Sequence, residues 1–230
     1  MSQATPTGQQ AISAPRGVRN SATRIVASTV GVFAGLLGLE HGYFEALQGN
    51  VTPRSIVISA IGPPCQAARA QNGCEPAMTL IPNFLITGIV AIIVSLLIII
   101  WASLLVQRKH GGIVLLMLSL LLLLVGGGFA PIPFGIIAGV AGTGINSSPT
   151  WWQAHLSAHS RCTLATVWPW SFLACVIWYL GLFILGYVFN QSTTILGALG
   201  LILTLLAVLT AFAHDIQRQI NSHQVPSMSG

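Results

Sequence analysis

Charge is what this chain most conspicuously lacks. Of its 230 residues only 6% are Asp, Glu, Lys or Arg, while 53% are hydrophobic, and mean hydropathy is +0.79. A soluble domain covers its surface with about 25% charged residues. A water-facing globule is therefore excluded, and the solvent of most of this chain is lipid. Acids are rarer still, four against nine Lys and Arg, which gives a net charge of +5. The basic residues are scattered along the chain, so the excess does not describe a nucleic-acid surface. The four cysteines include no Cys-x-x-Cys pair, which removes the closely spaced redox centre a membrane thiol oxidase needs. No phosphate-binding glycine loop with its lysine occurs either, which argues against a nucleotide-driven mechanism. No long internal repeat is visible.

What is present is a series of long apolar runs. A bilayer core about 30 Å thick needs about 20 residues at 1.5 Å each. Runs at 25–47, 84–106, 113–130, 164–189 and 193–213 satisfy or approach that length. The expectation is an all-α, polytopic transmembrane helical bundle of about five spans, sited in the plasma or cytoplasmic membrane. Residues 1–24 are polar, carry Arg16, Arg19 and Arg24 and no acid, and read as a disordered cytoplasmic tail. The run after Arg24 fills a whole span without a small-x-small cleavage site, so it reads as an anchor rather than a cleaved signal peptide. Arg108 and Lys109 fall in the tight turn after the second run, which puts them beside the tail on the cytoplasmic side.

This topology leaves extracytoplasmic loops at 48–83 and 131–163 and a polar C-terminal tail at 214–230. The first loop holds Cys65 and Cys74, with eight residues between them, and a disulfide is expected in an oxidising compartment. The sequons at Asn50 and Asn146 fall on the same side. Trp151, Trp152, Trp168 and Trp170 would form an outer aromatic belt, with Trp101 near the inner boundary. The apolar stretch Gly126–Gly144 is so dense in Gly and Pro that it reads as a loop after a completed span, with a re-entrant segment as the alternative. Gly31, Gly35 and Gly38, spaced i, i+4, i+7, form a smooth stripe for close helix packing.

Under the five-span topology Glu40, Glu45, Glu75 and Asp215 all lie in the outer half of the membrane or beyond it. His41, His155, His159 and His214 accompany them. His41 and Glu45 are four apart and share a helix face, whereas Glu40 points about 100° away from His41. Glu40 stands roughly 24 Å above Arg24, inside the hydrocarbon, where a carboxylate normally faces a bundle interior or a wet cavity. His155 and His159 repeat the i, i+4 spacing of two-histidine metal sites. His41, Glu45, His155 and His159 are thus candidate metal ligands, with Glu40 or Glu45 as candidate catalytic bases. An ordinary hydrated helix end explains the same residues without any ligand. A haem between His41 and His214 rests on their similar level alone.

No activity follows from these patterns. The favoured expectation is a non-enzymatic accessory or lipid-interacting membrane component. One alternative is a small transporter or permease using Glu40 and the Gly126–Gly144 break. Another is a metal-dependent enzyme acting on an amphiphile at the outer leaflet. The sequence requires no cofactor. Its expected partners are the bilayer, other membrane proteins or a second copy of the chain, and not nucleic acid.

Overall fold

The computed structural model describes residues 21–59, 76–147, 157–189 and 193–224. Within them lie six helices: α1 (Ser21–Leu47), α2 (Phe84–Ile100), α3 (Gly111–Leu124), α4 (Pro131–Gly144), α5 (Ala158–Phe189) and α6 (Thr193–Gln224). A π turn, Trp101–Leu105, prolongs α2, and a two-stranded hairpin of β1 (Val57–Ser59) and β2 (Pro76–Met78) connects α1 to α2. The chain is an all-α helical membrane bundle. Four stretches, at Ser21–Leu47, Phe84–Leu105, Ala158–Leu182 and Leu196–Asn221, are long and apolar enough to cross a membrane.

The first four helices approach closely because their contact faces are built from glycine. A Cβ on Gly31 would lie 2.7 Å from Ala102, and one on Gly38 would lie 2.7 Å from Leu122 and Ser95. On α2, Gly88 meets the backbone of Ala46 and Gly42. The stripe expected on α1 is thus the seat of α2, and the Leu115 and Leu122 side chains of α3 reach it. These contacts also give direction. Ala46 pairs in level with Gly88 and Gly31 with Ala102, so α2 runs against α1. Leu115 lies at Gly31 and Leu122 at Gly38, so α3 runs with it.

The stretch after α3 differs from the loop expected over 131–163. The run expected over 113–130 stops as a helix at Leu124, and Pro131–Gly144 is a helix returning along α3. Pro131 and Pro133 sit in its first turn, where no intrahelical donor is required. Gly135 packs on Ser119, Gly139 on Leu116, and Gly142 on Gly112 and Val106. The glycines read as breakers are the packing face of α4. Each of these two helices has 14 residues, a length of about 21 Å.

The additional helix reverses everything after it. Trp168 stacks near His214, Ser171 bonds Thr210 and Tyr179 bonds Thr204, so α5 and α6 are antiparallel. Asp215 in turn meets the first turn of α1, accepting from Ala22 N (3.0 Å), Thr23 N (2.8 Å) and Thr23 Oγ1 (2.8 Å). A carboxylate over unsatisfied amides at a helix N-terminus stabilises both the amides and the positive end of the helix dipole. Helix α6 therefore ends where α1 begins, and it continues to Gln224 instead of giving way to a tail at 214. The six helices alternate in direction. Residues 21 and 224 lie at one end, called the Thr23 end below, and Leu47 lies at the other.

A hydroxyl pair joins α5 to α6, and a ring cluster fastens them to the first half. Tyr179 donates into or accepts from Thr204 at 2.6 Å, while its ring stacks on Phe33 with centroids 3.8 Å apart. Phe134 meets both rings edge-on. Such hydroxyl pairs and ring contacts hold helices together where burial of apolar surface adds little, because lipid is as apolar as leucine.

Candidate functional site: a sealed His41–Glu45 pair

The last two turns of α1 carry the site. His41 and Glu45 are 1% and 0% exposed, and Nε2 of His41 stands 3.7 Å from Oε1 of Glu45. Helical spacing brings them together, as the i, i+4 reading expects. Glu40, on a different face, is half-buried. Among the described residues neither carboxyl oxygen of Glu45 has a hydrogen-bond partner. That is uncommon, since a buried polar group left unsatisfied costs about 1–3 kcal/mol.

Glu45 lies about 31 Å along the helix from Arg24, at the edge of a hydrocarbon core and within reach of water. Protein rather than lipid depth seals it. The covering element is the turn between α3 and α4. Gly126 and Gly128 adopt φ of +89° and +83°, a region that side chains disfavour. A Cβ on Gly126 would stand 2.5 Å from Glu45 Oε2, and one on Gly128 would stand 2.8 Å from His41 Nδ1. Glycine is required there twice, for the backbone conformation and for the approach.

The α1–α2 connection closes over this turn. Gly126 N donates to Met78 O (2.9 Å), Phe129 N to Pro76 O (3.2 Å), and Leu80 N to Leu124 O (3.0 Å). The backbone groups released where α3 stops are thus taken up by β2 and the residue pair after it, as buried amides and carbonyls demand. Thr79 and Thr87, both buried, share a hydroxyl–hydroxyl hydrogen bond at the edge of the site. Thr87 also borders Gly126, whose Cβ would meet its methyl group at 2.6 Å. The Thr79–Thr87 pair and the glycine cradle were not singled out by sequence. Only the glycine triplet itself gave a signal, and it was read as the end of a span.

The wider constellation does not come together. His159 lies in the first turn of α5 and His214 beside Asp215, both at the Thr23 end. His41 is 18 residues further along α1 than Thr23, a separation of about 27 Å. Of the expected metal set, His159 is therefore separated from His41 and Glu45, and His214 lies too far from His41 to share a haem with it. Among the described residues no three His, Cys, Asp or Glu side chains gather closely enough to hold a metal. Asp215, expected in the outer half, is instead the cap of α1. Trp168 lies at the Thr23 end with Trp101, not opposite it. Asn146 of the second sequon donates to the carbonyls of Gln107 and Arg108, and so leaves the outer side too. Cys65, Cys74, Glu75 and His155 lie outside the described residues, whereas Cys162 and Cys175 are free thiols.

No family model, curated protein or solved structure matches the chain.

What remains is one chemically distinctive arrangement. A carboxyl and an imidazole are buried side by side, and the segments that seal them are held by a few backbone hydrogen bonds. Such a pair can hold or release a proton when the cover opens. Among the described residues no third metal-ligating side chain joins it.

Proposed function

We propose that the chain is a small, multi-pass, proton-coupled permease of the cytoplasmic membrane, with Glu45 as its coupling carboxyl. The observation that carries this reading is the complete burial of Glu45 without a hydrogen-bond partner among the described residues. An ionised carboxylate in that pocket has no compensating donor, so its charge is tolerated only with a countercharge or with water. Opening the hairpin and the 125–130 turn would supply water; closing them would favour the pair carrying a proton. His41 at 3.7 Å is the group that exchanges it with Glu45. The role assigned to Glu40 by depth passes to Glu45 by burial.

Charge supports the orientation. Arg24, Arg108, Lys109, Arg161 and Arg218 lie at the Thr23 end, and Arg54 lies at the other. The positive-inside rule then places the Thr23 end in the cytoplasm and the sealed pair on the outer side. The few intramembrane charges favour a small solute.

The test is uptake into proteoliposomes under an inward proton gradient, with radiolabelled amino acids, monocarboxylates, sugars and methylammonium offered in turn. One class is expected to accumulate with the wild type and with Glu40→Gln, and to fall to the level of empty liposomes with Glu45→Gln. Accumulation undiminished in Glu45→Gln, or none with any class in the wild type, refutes the reading.

A non-enzymatic accessory role is the second reading. It is favoured by the lipid-facing stripe Trp170, Leu173, Ile177, Leu180 and Ile184 on α5, exposed at i, i+3 and i+4 spacing, a face that a partner helix or lipid would cover.

A further inference from the structure

A second polar feature lies at the opposite end of the bundle from Glu45 and plays no part in the permease reading. Where the π turn of α2 passes the first turns of α1, a cleft of about 270 Å³ opens. Arg24, Ile25, Ser28 and Thr29 line it from α1, and Ser103 and Gln107 from the other wall. Spacing explains the chemistry. Arg24 and Ser28 are one turn apart on α1, and Ser103 of the π turn and Gln107 just after it face them, their own donors held by Ile99 O and Leu104 O. A π turn commonly marks a functional site.

Three further observations give the occupant. First, the cleft sits among positive charge. Arg108 and Lys109 follow Gln107 directly, and the acid at this end among the described residues, Asp215, is committed to the amides of Ala22 and Thr23. Second, the polar groups are graded in depth. Ser28 and Thr29 lie about 6–8 Å further into the membrane than Arg24, the direction in which a lipid's glycerol region lies from its phosphate. Third, Ile25 in the wall is exposed and apolar, and so is Leu104, next in sequence to Ser103, which offers an acyl chain an apolar surface beside the cleft. A soluble anion would have no use for that surface.

We propose that this cleft binds an anionic phospholipid, with the phosphate on Arg24 and the glycerol region against Ser28, Thr29 and Ser103. One basic side chain near an anionic surface contributes about 1 kcal/mol, which sets the size of effect to look for.

The experiment is thermal unfolding of the full chain in detergent, titrated with dioleoylphosphatidylglycerol, dioleoylphosphatidylcholine or inorganic phosphate. Phosphatidylglycerol is expected to raise Tm saturably and phosphatidylcholine much less. The half-saturating concentration should rise about fivefold in Arg24→Gln, stay near wild type in Arg24→Lys, and be unchanged in Arg54→Gln. Should Arg24→Gln fold poorly, Ser103→Ala, at an exposed position, should still weaken binding. Equal shifts with both lipids, an unaltered titration in Arg24→Gln and Ser103→Ala, or a full shift with inorganic phosphate alone would each overturn the assignment.

Discussion

Replacing Glu45 with methionine is expected to stabilise the protein and to abolish its transport. Methionine fills a similar volume without polar atoms. The wild-type carboxyl loses its hydration on folding and recovers no hydrogen bond from the described residues. Removing that penalty should gain about 2 kcal/mol, or about 5 °C in Tm for a chain of this size. Glu45→Gln keeps the polar atoms and should shift Tm less. A gain in stability with a loss of activity is the signature of a group retained for function against the interests of packing. The check is a Tm measurement on wild type and both variants in one detergent. A fall of several degrees in Glu45→Met would mean that Glu45 has a bonding partner and serves the fold.

The second large effect is expected at Gly126. Gly126→Ala must hold alanine at φ +89° and place its Cβ 2.5 Å from Glu45 Oε2 and 2.6 Å from the Thr87 methyl. The backbone alone costs about 1–2 kcal/mol, and relief of the contacts adds to it, for a total of about 3 kcal/mol. Gly49 provides the comparison. It has φ +76° but nothing within 4 Å of the point where a Cβ would stand, so Gly49→Ala should show the backbone cost and no more. The contact component can be isolated by a double-mutant cycle. Combining Gly126→Ala with Glu45→Ala, which empties the space, should recover about 1 kcal/mol relative to additivity. Strict additivity would show that Gly126 and Glu45 do not touch.

The bundle, its apolar runs and the glycine face of α1 were legible because each is a local, periodic property. His41 and Glu45 were legible as a pair for the same reason. Which of Glu40 and Glu45 is the sealed acid was not legible, because depth counted from Arg24 measures distance through lipid. It says nothing about cover supplied by protein. That cover comes from residues 76–80 pairing with 124–129, a long-range strand contact with no periodic signature. The larger error lay at Pro131–Gly144. Treating Gly and Pro as breakers overlooked that both prolines fall in a first turn, and that Gly135, Gly139 and Gly142 repeat the small-residue spacing already recognised on α1. One missed helix inverted α5 and α6. With that helix in place His159, Trp168, His214 and Asp215 lie at the Thr23 end of the bundle, away from His41 and Glu45.

The direction of α5 and α6 is therefore the feature to test most directly. In a variant whose other cysteines are serine, Cys162 is labelled with a membrane-impermeant maleimide in intact cells and again after permeabilisation. A parallel variant carries Arg54→Cys instead. Six alternating helices predict that position 54 reacts in intact cells and that Cys162 reacts only once the membrane is opened. Reaction at both positions in intact cells would restore the five-span order, separate Asp215 from the start of α1, and contradict the placement of the sealed pair opposite the basic end.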